Sequence, residues 1–461
     1  MTPNSSPWLA ELKRIRETSP LAQSESSDVV IVGGGIAGAA TAYFTLRDTT
    51  QSVMLLEADK VAHGATGHNA GQITSYFERP FESIVQEFGL ALAVDGQRSV
   101  EQAWELIEEI QTTARLETPL HKFTGYAGCT TLEQFLVYLQ ENVRRIEGGL
   151  VPETLYVSSE ALWKDDIPKK YEGVYTVTSG EEVRKLLNTN NAEYGAVVAS
   201  PKGCMNSARF TEEVIGYLHA TYPERFVLHE ETMVQEVTLL EGAAQLQANG
   251  HTVSAHRVVL ATNGFEQFHI KNTVGVNIDP AFHHLVTGRI GYMTAYLEDR
   301  VEPPTAISYL PKRETSSGDP TGEPYFYLTR RPHQAHATEK TLVCVGGPDQ
   351  PLPNLAIYSR ADTCRDDIRD TIDSFLKKSY APYPEDHKGY EYCWHGLMGY
   401  TPGGLRRIGE EPCNTALLYN LGCNGVGILS SVYGGKRIAE MLSGKEVSPS
   451  IFDPVDQRKE K

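Results

Sequence analysis

Long apolar runs are missing from this sequence. No stretch approaches the roughly 18 uninterrupted apolar residues that a membrane helix needs. The opening 27 residues, MTPNSSPWLAELKRIRETSPLAQSESS, hold no compact apolar segment of the kind that begins a secretory signal. A cytoplasmic protein without a transmembrane segment is the expectation. Basic runs are missing too. The formal charge is −17 over 461 residues, which argues against nucleic acid as a partner and favours a small molecule. Cysteine is sparse and unpatterned: the seven, at positions 129, 204, 344, 364, 393, 413 and 423, include no Cys-x-x-Cys pair. Neither a disulfide framework nor a zinc or other metal site is expected. Internal repeats and low-complexity tracts are lacking as well, and the length suggests material for roughly two or three domains.

Glycine, by contrast, is placed with a pattern. DVVIVGGGIAGAATAYFTL runs from Asp28 to Leu46. Asp28 to Val32 reads as a strand covered on both faces. Gly33, Gly35 and Gly38, with Ile36 and Ala37 between them, make G-x-G-x-x-G at the start of a helix. Gly33 permits the tight turn, Gly35 lets a pyrophosphate approach the main chain, and Gly38 brings helix against strand. Free N–H groups and the helix dipole at Ile36 and Ala37 would hold the phosphates. The next apolar strand, SVMLLEADK, ends at Glu57 and Ala58, where an acid accepts hydrogen bonds from an adenosine ribose. Strand, turn, helix, strand and terminal acid together predict a bound dinucleotide.

Three later stretches separate a flavin from a nicotinamide. They are GATGHNAGQIT from Gly64, the pair TMVQEV (Thr232 to Val237) and VVLATNGF (Val258 to Phe265), and LGCNGVGILSSVYGGKRIAEML (Leu421 to Leu442). With these the chain resembles the D-amino-acid oxidase, glycine oxidase and sarcosine oxidase superfamily of FAD-dependent amine oxidoreductases, over most of its length. The resemblance implies that Gly64, Ala65, Thr66, His68, Asn69, Ala70, Gly71 and Gln72 wrap the flavin and pyrophosphate. It implies main-chain contacts to adenine at Val234, and a strand end at Ala261, Thr262 and Gly264 beside the cofactor. It also implies a C-terminal turn at Gly425, Val426, Gly427 and Ile428, leading into a helix that Ser430 or Ser431 opens. That helix N-terminus, aimed at the flavin N1–C2=O edge, would stabilise reduced flavin.

The implied fold is α/β with an α+β second part: a Rossmann-like FAD-binding domain, discontinuous in sequence, under an antiparallel-sheet substrate domain. The expected division is an N-terminal arm over 1–27 laid on the surface or loose, FAD-binding lengths 28–117, 194–275 and 390–445, substrate-domain lengths 118–193 and 276–389, and a tail over 446–461. Residues 81–114 and 131–149 read as helices. Alternating aromatic and β-branched residues from Phe282 to about Val345 read as strands, and PKRETSSGDPTGEP (311–324) as a loop. PYFYLTRR puts Tyr325 and Tyr327 on one strand face and Phe326 on the other. These tyrosines either line the substrate pocket or are core residues with a hydrogen bond. Arg289, Arg330 and Arg331 are possible anion partners.

CWHGLMGYTPGGLRRIG, Cys393 to Gly409, resembles the family stretch that carries an arginine for the substrate carboxylate. Here that position is Met398, which cannot pair with a carboxylate, and Gly403 and Arg406 replace the family's Asp and Pro. The resemblance therefore implies an amine, or an N-substituted amino acid, as substrate. Hydride would pass from its α carbon to flavin N5, and oxygen as acceptor would give imine, aldehyde and hydrogen peroxide. A dehydrogenase that feeds a quinone or an electron-transfer protein, and a flavin-binding protein without turnover, stay open as alternatives. His68 matches the histidine to which dimethylglycine and sarcosine dehydrogenases attach FAD covalently. Non-covalent FAD is the preferred reading, with a His68 link the alternative.

Overall fold

Val29–Val32 is buried on both faces, as a central parallel strand requires. The computed structural model describes residues 4–14, 16–264, 268–280, 286–311, 325–335, 338–352, 358–387 and 389–454. In it Glu25–Val32 pairs in parallel with Val53–Leu56 on one side and His251–Leu260 on the other. Phe226–His229 extends the parallel set at one edge, and Leu417–Leu421 joins it at Val258–Leu260. This nine-stranded sheet therefore draws on early, middle and late parts of the chain.

Two helices meet over it. Ile36–Asp48 packs on Gly427–Leu442 so closely that a Cβ on Gly435 would lie 2.7 Å from the Thr41 nitrogen. A Cβ on Gly434 would lie 2.3 Å from the Asn420 side chain. The paired glycines in this helix are thus an interlock with its neighbours. The helix begins at Gly427, before Ser430 and Ser431, so neither serine opens it. The Ser430 hydroxyl instead donates back to the Gly427 carbonyl at 3.3 Å.

Among the described residues a second sheet has ten strands. Thr287–Glu298, Thr305–Leu310, Phe326–Ala335 and Thr338–Leu352 answer to the alternating aromatic texture. Pairing is antiparallel except where Ile307 lies beside Tyr126 and Tyr156 beside Thr176. Ala196–Cys204 and Tyr392–Tyr400 come from lengths counted with the FAD-binding segments, yet both are strands of this second sheet. Their registers with His121–Cys129 and Thr287–Glu298 carry them there. The helical reading of 81–114 resolves into Phe81–Phe88 and Leu90–Thr113, broken at Gly89, whose φ is 80°. Leu132–Glu147 opens on a capping box of Thr131 and Gln134. Residues 312–324 of the expected loop, Phe265, Phe282 and residues 455–461 of the tail lie outside the described residues.

The N-terminal segment departs from a surface arm. Trp8 has no solvent exposure. Its indole N–H donates to the Asn69 carbonyl at 2.7 Å, its ring meets Trp394 edge-on at 6.4 Å, and the Arg331 guanidinium lies 4.7 Å from the ring centre. A tryptophan brings too much apolar area to leave in water once such a slot exists. Further on, Arg16 bonds the fully buried Glu230 side chain at 2.6 Å. A second departure concerns the cysteines. Cys364 and Cys393 form a disulfide, their Cα atoms 5.9 Å apart, which scattered spacing gave no reason to expect. Trp8→Ala is expected to destabilise the protein by about 3–5 kcal/mol, the usual range for emptying a buried aromatic site. Thermal unfolding measures it, and an unchanged midpoint would show that the segment merely rests on the fold.

Candidate active site

The glycine turn is built by exclusion of side chains. Gly33 has φ 112°, and a Cβ there would sit 2.7 Å from the Ala261 carbonyl oxygen. A Cβ on Gly38 would sit 1.9 Å from the Gly33 oxygen. Gly35 ends in extended conformation, and the helix starts at Ile36, whose N–H donates to the Thr66 hydroxyl at 3.0 Å. The Glu57 carboxylate accepts from the Gly34 N–H at 2.6 Å and the Asp59 N–H at 3.0 Å. Burial raises its pKa, and these two N–H donors work against that rise.

A single cavity of about 1840 Å³ runs from this turn to the second sheet. That exceeds the roughly 300–1,000 Å³ of an ordinary ligand pocket. Its wall includes Gly33, Gly35, Ile36, Ala37, Glu57, Ala58, Gly64, Ala65, Thr66, His68, Asn69, Ala70, Gln72, Val234, Ala261, Thr262, Gly425, Val426, Gly427 and Ile428. Gly38, Gly71 and Gly264 stand outside it. Gly38 serves helix packing. Gly71 leaves room for the Trp8 ring, which a Cβ would meet at 2.4 Å, and Gly264 lies against Val286. His68 is on the wall with Nδ1 2.9 Å from the Gly64 carbonyl, and burial lowers its pKa. Asn263 and Asn424 stitch the wall together: the Asn263 side chain accepts from the Cys423 N–H, and the Asn424 side chain from the Thr401 N–H, both at 2.8 Å.

At the far end Tyr325, Tyr327 and Met398 all line the cavity. The tyrosine rings lie 5.7 Å apart, while Phe326 stacks on Phe375 on the opposite side. Met398 faces Arg289 across the strand pair. Arg289 makes a two-pronged pair with Asp349, at 2.8 and 2.7 Å. Arg330 and Arg331 are not on the wall: Arg330 bonds the Pro303 carbonyl, and Arg331 bonds Glu11.

Comparison with known proteins gives this geometry a family. A family model described as FAD dependent oxidoreductase (DAO) matches residues 28–441. This chain belongs to the DAO family of FAD-dependent oxidoreductases. A γ-glutamylputrescine oxidoreductase from Escherichia coli (strain K12) is 22% identical over 440 residues, covering 95% of this chain and 89% of that one. The crystal structure of glycine oxidase from Geobacillus kaustophilus matches with a TM-score of 0.64 at 19% identity, covering 92% of this chain and 96% of that chain. L-α-glycerophosphate oxidase from Mycoplasma pneumoniae, with FAD bound, matches at 0.62 and 14% identity, covering 92% and 100%. These structural likenesses establish the shared fold.

The residues present fit the family cofactor. A DAO-family cradle needs backbone N–H groups, small residues and an acid, and the cavity wall has each. The Thr262 hydroxyl is also buried without a partner in the protein, as a cofactor-facing donor would be. Sequence reasoning missed Tyr76, Glu78, Arg79, Asp349 and Tyr400, all on the wall. SYFERP carries no motif. It reaches the cavity only because Gln72–Thr74 pairs with Ala196–Cys204. For the cradle, Glu57→Ala is expected to weaken FAD binding about tenfold or more, the scale of losing a charge-assisted hydrogen bond. Flavin fluorescence quenching on titration into stripped protein reads it; unchanged affinity would remove Glu57 from the cofactor's contacts.

Proposed function

We propose that this DAO-family chain oxidises the C–N bond of an amine, or of an N-substituted amino acid, with molecular oxygen as the acceptor. The products would be an imine that hydrolyses to an aldehyde, and hydrogen peroxide. One observation carries the reading: a single cavity joins the glycine cradle to a tyrosine-lined roof with Met398 at the family's arginine position. Of the arginines on the wall, Arg289 is closed on Asp349, Arg79 on Glu87 and Arg360 on Asp59, and Arg406 gives its N–H groups to Asn420 and Gly422. The relative in Escherichia coli, named for a putrescine derivative, supports an amine.

FAD, held along the cradle, would supply hydride acceptance at N5. The chain's own part is positioning and field. Val426 and Gly427 bring the N-terminus of the C-terminal helix to the wall, and Arg406 lies beside it, fully buried. Among the described residues Arg406 bonds neutral oxygens alone, those of the Asn420 side chain and carbonyl at 2.6 Å and the Gly422 carbonyl at 3.5 Å. Burial lowers its pKa to about 10, still high enough to keep the charge at neutral pH. Helix end and guanidinium together favour negative charge on that wall. The tyrosines displace water from the roof and orient the substrate's α carbon. FAD is read as non-covalent; the hydrogen bond between His68 Nδ1 and the Gly64 carbonyl orients the ring on the wall.

Anaerobic mixing with primary, secondary and N-methyl amines, and with amino acids, tests the proposal. An amine should bleach the flavin band, and on admission of air about one peroxide should form per amine oxidised. Bleaching by amines with negligible peroxide would assign the electrons to a quinone or protein acceptor instead. Acid precipitation of the same sample should leave the yellow colour in the supernatant.

A further inference from the structure

The roof of the cavity contains one carboxylate that the proposed chemistry leaves unused. Glu78 accepts a hydrogen bond from the Tyr325 hydroxyl at 2.8 Å and has no ion-pair partner among the described residues. The other charges around it are committed. Asp349 is closed on Arg289, Glu87 on Arg79, and Arg406 is tied to Asn420 and Gly422 on the helix side. Lys202 stands behind the Tyr76 ring, 5.6 Å from its centre, and bonds Ser308; it acts on Glu78 through its field without touching it.

Aromatic rings complete the surroundings. Tyr325 and Tyr327 are neighbours, and Tyr400 comes from the end of Tyr392–Tyr400, at the edge of the sheet. A Cβ placed on Gly425 would meet the Glu78 side chain at 2.9 Å and the Tyr400 hydroxyl at 3.0 Å. The acid and this tyrosine therefore stand where the roof joins the cradle, one residue from Val426. Desolvation raises the pKa of this cavity-lining carboxyl, and a cation beside it offsets that cost. Tyrosine faces attract ammonium groups by the ring quadrupole. Methionine at 398 adds a soft apolar wall and no positive charge.

We propose that Glu78, ringed by Tyr325, Tyr327 and Tyr400, is an ammonium-binding subsite. The substrate class is then a cationic amine with no carboxylate on the carbon that bears the reacting nitrogen. This deepens the amine-oxidising reading and rests on it. Where a carboxylate-clamping oxidase selects by a guanidinium, this cavity selects by charge of the opposite sign.

Two ring-bearing probes of opposite charge test the subsite on the flavin-loaded protein. Neither needs turnover: benzyltrimethylammonium has no nitrogen lone pair, and benzoate has no amine. Binding is read from perturbation of the flavin visible spectrum. The cation is expected to bind at least tenfold tighter than benzoate, and Glu78→Gln should collapse that preference to within about twofold. Tighter binding of benzoate to the unmodified protein would overturn the proposal, whether or not the variant folds. So would an unchanged preference in a Glu78→Gln protein that holds its flavin. Charge preference without bleaching by any amine would remove the proposed oxidation and leave the subsite standing. Bleaching by amines with the preference reversed would do the opposite.

Discussion

Contact between main chains, with no side chain between them, is the constraint on which this structure rests. Two lengths of chain, one carrying Gly33 and Gly38 and the other Ala261, come together at distances that any Cβ would violate. Overpacking even a tolerant core costs about 1–3 kcal/mol, and a backbone carbonyl is less able to yield than a side chain. The same closeness leaves the N–H groups at the start of Ile36–Asp48 facing the cavity, with only the Thr66 hydroxyl upon them. Fold and cofactor cradle are thus two results of one steric fact.

The cavity is also polarised about the Gly425 turn. Arg406 lies beside Gly427 at the helix N-terminus, and Glu78 and the Tyr400 hydroxyl lie against Gly425. Arg289 is paired with Asp349, and Arg79 with Glu87. Groups of opposite sign therefore flank one turn of the chamber, and its field runs from the helix end toward the roof. The buried arginine is sustained by amide and carbonyl oxygens, and so its field is not neutralised locally.

What the sequence disclosed follows from the range of the forces involved. The glycine fingerprint was legible because it is a local conformational demand written in adjacent residues, whereas the GATGHNAG stretch was placed by family resemblance. Family resemblance located Val234, Ala261 and the Gly425 turn, whose positions on one wall no local rule supplies. The two-faced alternation of PYFYLTRR was readable too, and Phe326 and Tyr327 do part to opposite sides. Glu78 and Tyr400 were not readable. Their roles arise from strand pairings between lengths far apart in the chain, as does the meeting of Cys364 with Cys393. The start of the C-terminal helix was misplaced because serine is a common cap, whereas here glycine opens the first turn and serine bonds backward.

Trp8 and Trp394 share one slot, and Ser5 bridges Cys393 beside it. Trp8 is therefore locked by the strand Tyr392–Tyr400, which is made long after it. Its slot is complete only once that strand has formed, so capture of the leading segment follows assembly of much of the second sheet. Premature burial of that indole elsewhere is the hazard such an arrangement carries, and late capture of the leading segment is the step a folding chaperone would most usefully protect.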